Sequence, residues 1–95
     1  MVDKIESIFE NVAIKYDNMR LYFYGDAINI IDECQKRQIK ILGFDSFKLS
    51  AYGIQSFMEF SYDYSKLNKS MTWEKARKDI KSLSSSDFVF ELVYE

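Results

Sequence analysis

Near its start the chain spaces Ile5, Ile8, Phe9 and Val12 at i, i+3, i+4 and i+7, the stripe of an amphipathic helix. A polar break, "KYDN", precedes "RLYFY" (20–24), whose alternation and β-forming residues predict a short strand. A second helix should open at Gly25-Asp26, with Asp26 able to cap its free amides. Ala27, Ile30, Ile31 and Cys34 supply its apolar stripe, and Lys36 and Arg37 suit the dipole of its last turn. "IKILGFDSFKL" (39–49) reads as extended, with Ile39, Ile41, Phe47 and Leu49 sharing parity and Gly43 marking a bulge. Past a turn at "SAYG", residues 55–64 ("QSFMEFSYDY") read as one strand. Met58, Phe60, Tyr62 and Tyr64 would point one way, and Phe57, Glu59, Ser61 and Asp63 the other. Thr72 is placed to cap a third helix whose stripe is Trp73, Ala76, Ile80 and Leu83. The last strand, 88–95, sends Phe88, Phe90, Leu92 and Tyr94 to one side and Val89, Glu91, Val93 and Glu95 to the other.

These elements predict an α+β fold: an N-terminal helix, then a split β-α-β-β-α-β antiparallel sheet with its helices on one face. Ninety-five residues allow one domain, 1–95, made of a helical segment 1–19 and a sandwich 20–95. Acids at positions 3, 6 and 10 interrupt the N-terminal stretch, so it does not read as a secretory signal. No apolar run approaches the roughly 20 residues that span a bilayer. The single cysteine, Cys34, cannot form an internal disulfide, which suits a reducing compartment and predicts a cytoplasmic protein.

Charge changes the picture more than overall composition does. The formal net charge is only −2, yet six bases (Lys66, Lys69, Lys75, Arg77, Lys78, Lys81) crowd 66–81, and 87–95 holds three acids and no base. A basic helical side and an acidic sheet side are expected. Aromatic residues make up 17% of the chain, a useful source of buried area in a small domain.

Candidate chemistry is mostly excluded. Glu59 and Asp63, four residues apart on one strand, would stand about 13 Å apart. A glycosidase pair needs about 5 to 9.5 Å. Histidine is absent, which removes the commonest general base, the usual nucleophile activators and the commonest metal ligand. Cys34 lies on an apolar stripe, where a thiol is inert. Neither a zinc nor an EF-hand ligand pattern is present, and no cofactor or metal is implied. Asp45 would share a face with Ile39 and Phe47 in a regular strand, but a bulge at Gly43 would turn it outward.

Binding readings remain. An RNA-binding module using the open sheet face or the basic third helix is one, with Phe57 stacking on a base. Glu59 and Asp63 would repel phosphates there, and 55–64 holds no base, so nucleic acid is disfavoured. A sheet face mixing Phe57, Glu59, Ser61, Asp63, Val89, Glu91 and Glu95 suits a basic protein surface better, and composition leaves an ordinary solvated sheet face as the equal alternative.

"IKILGFDSFKL", "QSFMEFSYDYS", "MTWEKARKDI" and "DFVFELVYE" together resemble small bacterial immunity proteins of polymorphic-toxin and contact-dependent growth inhibition systems. The resemblance covers residues 20–95 and rests on overall pattern. It implies a non-enzymatic inhibitor that binds the C-terminal domain of a cognate toxin, often a nuclease, in the cytoplasm. The family brings no catalytic residues. Pattern then assigns Glu59, Asp63 and Glu91 as partners for toxin Lys or Arg and Phe57 as an apolar anchor. Lys75, Lys78 and Lys81 are the rival surface.

Overall fold

A computed structural model describes residues 4–95. Of the N-terminal segment 1–19, residues 1–3 therefore lie outside the described part. The expected first helix is a single turn, α1 (Ile5–Ile8), followed by a 3-10 turn at Glu10–Val12. Ile5 is buried, and Phe9 packs against the core. Ile8 and Val12 stay exposed, because the helix stops before its stripe can close on a partner.

The chain then makes a hairpin absent from the sequence-based expectation. Strand β1 (Ile14–Tyr16) pairs antiparallel with β2 (Met19–Leu21) around Asp17-Asn18. Asp17 takes φ +53°, a left-handed conformation that Asp tolerates in tight turns. Ile14, Tyr16, Met19 and Leu21 share one face of this ribbon, and Lys15 and Arg20 share the other. Both bases on that second face pair with Glu10, Arg20 at 2.5 Å.

Helix α2 (Tyr24–Lys36) starts before Asp26, which takes no capping role and instead sits in the first turn. Ala27, Ile30, Ile31 and Cys34 are all buried, as their spacing requires. Helix α3 (Lys69–Lys81) buries Trp73, Ala76 and Ile80, with Leu83 buried just beyond it. Thr72 does not cap this helix; Asn68 stands at the cap position. The Thr72 hydroxyl, fully buried, instead accepts the Ile41 N–H at 3.2 Å and donates to the Lys69 carbonyl at 2.8 Å. It ties the helix to the start of the sheet. Trp73 adds a second tie, donating from Nε1 to the Ile39 carbonyl at 2.7 Å. Arg77 clamps the two helices through Asp32 (2.9 Å) and Gln35 (2.7 Å).

Strand β3 (Ile41–Ser50) is central to the sheet. One edge pairs with β4 (Gly53–Ser56) and then with β5 (Tyr62–Asp63); the other pairs with β6 (Val89–Tyr94), all antiparallel. The first strand of the split pattern touches β6 through a single bridge, Tyr22 with Phe90. The class is α+β, with both helices against one sheet face, where Phe44, Phe90 and Leu92 meet Ile30, Ile31, Ala76 and Ile80.

The expected continuous strand 55–64 is broken by a 3-10 turn at Met58–Phe60. Two hydrogen bonds to one residue hold the break. Phe57 N–H donates to the Ser46 carbonyl at 3.0 Å, and the buried Ser46 hydroxyl donates to the Phe60 carbonyl at 2.8 Å. The turn breaks the alternation, so Phe57, before it, no longer shares a face with Asp63, after it.

Gly43 does mark a bulge: the β3–β6 register shifts between Ile41 and Gly43. A Cβ at Gly43 would lie 2.2 Å from the Tyr62 carbonyl oxygen, so only glycine lets β5 come this close.

Candidate protein-binding site

Past the bulge, Phe44 and Ser46 are buried toward the helices, so Asp45 turns to the opposite face. Its cross-strand partner is Glu91, which sits between buried Phe90 and Leu92 and so points the same way. Asp63, opposite Gly43, brings a third carboxylate to this face, diagonal to Asp45. Diagonal neighbours on a sheet are about 7–8 Å apart, and direct neighbours about 4.5–5.5 Å at Cβ. Three strands, β5, β3 and β6, thus carry Asp63, Asp45 and Glu91 in one band, with glycine between them and half-exposed Val93 beside them.

The electrostatics of the band are those of an uncompensated site. Like charges directly opposite each other destabilise a sheet. Burial raises the Glu91 carboxyl above the ordinary carboxylate range, and the facing Asp45 raises it further. Among the described residues neither Asp45 nor Glu91 has a salt-bridge partner. Asp63 differs: hydrogen bonding from Ser65, whose N–H donates to Oδ1 at 2.9 Å, holds its carboxyl below the usual range. It is ionised and fixed at the start of the loop to α3.

The four residues singled out by pattern therefore divide. Asp63 and Glu91 share the outer face, as expected. Glu59 is exposed on the 3-10 turn and belongs to no strand face. Phe57 is a correction. Its ring lies edge-on to buried Phe88, centroids 5.2 Å apart, on the helix side. The Lys48 ammonium sits 5.5 Å from the Phe57 ring and 5.0 Å from that of Phe88. Phe57 is thus a packing residue under a cation, and it cannot anchor a partner on the outer face. Phe60, Tyr62 and Tyr64 also turn inward, Tyr62 stacking on Phe44 at 4.9 Å. The ring platform that base stacking would need is absent from this stretch.

The outer face is also narrower than the sequence suggested. Val89, expected on the open side, is buried, and so is Leu21 on the apolar face of the N-terminal hairpin. The Tyr16 hydroxyl reaches to 3.3 Å from where a Cβ on Gly53 would stand. The hairpin accordingly covers one end of the face and leaves the acidic band at the other. Sequence alone allows Asp45 on either face, and the bulge at Gly43 sends it to the outer one. Tyr52, at the tip between β3 and β4, is fully exposed and Val93 half-exposed, neither of them singled out by the alternation pattern.

A cleft of about 310 Å³ adjoins the band at Glu91. Glu6, Arg20, Tyr22 and Tyr94 line it with the 91–94 stretch of β6. The Tyr94 hydroxyl donates to Glu6 at 2.7 Å, which lowers the Glu6 carboxyl. On the far side of the molecule α3 presents Lys78 and Lys81 to solvent, while Lys75 lies 3.5 Å from Asp79. Acids thus gather on the open part of the sheet, and bases outnumber acids on α3. No group of three or more metal-ligating side chains occurs among the described residues. No helix among them is long and apolar enough to cross a membrane.

Compared with known proteins, the chain matches no family model and no curated sequence.

Proposed function

We propose that this chain is an immunity-type inhibitor that acts in the cytoplasm by covering a cognate toxin domain and carries out no catalysis of its own. The observation that supports the reading is the uncompensated pair Asp45–Glu91, extended by Asp63, on the part of the sheet that the hairpin leaves open. A like-charge pair costs the free protein stability and becomes favourable when a Lys or Arg from a partner sits between the two carboxylates. A nuclease, whose cleft is basic because it holds phosphates, is the class of toxin such a band fits. The carboxylates stand where phosphates would. Val93 supplies apolar contact beside the band.

The test is protection of growth. Cells expressing the toxic C-terminal domain encoded beside this chain are co-transformed with wild type, with Asp45→Lys/Glu91→Lys, or with Lys78→Glu/Lys81→Glu. The account expects protection by wild type and by the helix variant, and death with the sheet variant although it is folded and soluble. Protection by the sheet variant together with loss in the helix variant would transfer the site to α3. Failure of wild type to protect would end the immunity reading. A gel shift of RNA by wild type that is lost in the helix variant would replace it with nucleic-acid binding.

A further inference from the structure

We propose that the free edge of β6, where it lines the cleft, takes up an extended basic segment of the partner protein as an added strand. This inference rests on the reading of the acidic band as a protein-binding face and specifies how the partner engages it.

The argument begins from the backbone. Strand residues direct their N–H and C=O groups alternately to the two edges. Phe90 exchanges both of its groups with Tyr22, its N–H donating at 2.8 Å and its C=O accepting at 2.9 Å. The Glu95 N–H donates to Lys40 on the β3 side. Even-numbered residues of β6 therefore face β2 and odd-numbered ones face β3. Beyond the Tyr22–Phe90 bridge β2 and β6 stay close without a further bridge, and both line the cleft, so an incoming strand must move the β1–β2 hairpin outward. The N–H and C=O of Leu92 and Tyr94 then point into it, and among the described residues they have no backbone partner. An unpaired edge inside a fold is a template for another strand.

The side chains around the edge select the occupant. An incoming strand alternates its own side chains between the two faces. Those on the outer side fall next to Glu91 and its partner Asp45. Those on the inner side meet the rings of Tyr22 and Tyr94 and the Glu6 carboxylate. Carboxylates on both sides, with aromatic rings on one, favour Lys and Arg. Arg20 lines the same cleft, but its guanidinium is already paired with Glu10. A volume of about 310 Å³ is at the low end for a ligand site. It suits a short stretch of strand with its ends outside.

The experiment uses the wild-type protein and amide hydrogen exchange read residue by residue by NMR. In the free protein the Leu92 and Tyr94 amides should exchange at least about tenfold faster than the Phe90 amide, which is bonded. Addition of the capped peptide Thr-Lys-Val-Arg-Val-Lys-Thr should slow both by at least about tenfold and shift their resonances. The same peptide N-methylated at alternate positions, or with Glu in place of Lys and Arg, should do neither. Glu91→Gln should weaken binding several-fold and flatten its salt dependence. Leu92 and Tyr94 amides already as protected as that of Phe90 in dilute free protein would overturn the proposal. So would peptide shifts confined to α3. Protection that grows with protein concentration without peptide, in step with dimer formation, would overturn the partner assignment in favour of a second copy. Binding of a toxin domain that perturbs Asp45, Glu91 and Asp63 while Leu92 and Tyr94 stay unprotected would sink the added strand and leave the acidic-face reading intact.

Discussion

Replacing Glu91 by Gln should make the free protein more stable and a poorer binder. Glu91 faces Asp45 directly across the β3–β6 ladder, and no cation among the described residues offsets either. Favourable cross-strand pairs contribute roughly 0.2–1 kcal/mol, and like charges directly opposite act in the reverse sense, taken here at the same scale. Glu91 is partly solvated, so the middle of the range, about 0.5 kcal/mol, is the appropriate figure. For a chain of this size that corresponds to a rise in Tm of about 2–4 °C. The pH dependence has a definite sign. The folded state raises the Glu91 carboxyl above its ordinary value of 4.5, so it favours the protonated form. Wild type therefore has its full stability from this group below the unfolded value and loses it as pH rises through the folded one. The gain in Glu91→Gln should accordingly be near zero at pH 4 and complete by pH 7. It should also shrink in 1 M salt, where the screening length falls to about 3 Å. Urea melts of the two proteins across pH and salt measure this directly. A variant less stable than wild type at pH 7, or a gain indifferent to both pH and salt, would refute the reasoning.

The remaining predictions concern packing and burial. Tyr64→Phe removes the 2.6 Å donation from the Tyr64 hydroxyl to Asp79 Oδ2, a bond to a nearly buried carboxylate. It should cost about 1.5–3 kcal/mol in urea denaturation at unchanged m-value; a loss under 0.5 kcal/mol would show that the bond contributes little. Gly43→Ala forces a methyl group to within 2.2 Å of the Tyr62 carbonyl oxygen. The expected cost is about 3 kcal/mol, with faster exchange of the Tyr64 amide, which bonds Leu42 across the β3–β5 contact; wild-type stability would mean that β5 moves freely. Burial pushes the Cys34 thiol up to about 12. Its modification by a thiol reagent at pH 7 should be at least about 100-fold slower in the folded than in the unfolded protein, and equal rates would place the thiol at the surface.

Much of this architecture was legible because helices advertise themselves by period. The stripe Ala27–Ile30–Ile31–Cys34 and the stripe Trp73–Ala76–Ile80–Leu83 are buried residue for residue. Helix starts were less legible. Asp26 and Thr72 have the chemistry of caps, yet α2 begins at Tyr24 and α3 at Lys69, so both lie inside their helices, and the Thr72 hydroxyl bonds Ile41 and Lys69. The N-terminal hairpin escaped because three-residue strands give no periodicity worth the name, although Asp17-Asn18 was a turn signal in plain view. The stretch 55–64 failed for a different reason. Perfect alternation cannot reveal a 3-10 turn that resets the phase, and the turn is held by Ser46, a residue from another strand. Phe57 changed faces as a result. The site followed the same rule: Glu91 and Asp63 were readable by parity, whereas Asp45 joined them only through the bulge at Gly43.

The central claim is that the acidic band, and no other charged surface, meets the partner. Calorimetric affinity for the purified toxin domain, measured from 50 to 500 mM salt for wild type, Asp45→Asn/Glu91→Gln and Lys78→Gln/Lys81→Gln, tests it most directly. The account predicts at least about tenfold weaker binding and a flatter salt slope for the sheet variant alone. Equal affinity and equal slope for wild type and the sheet variant would contradict it.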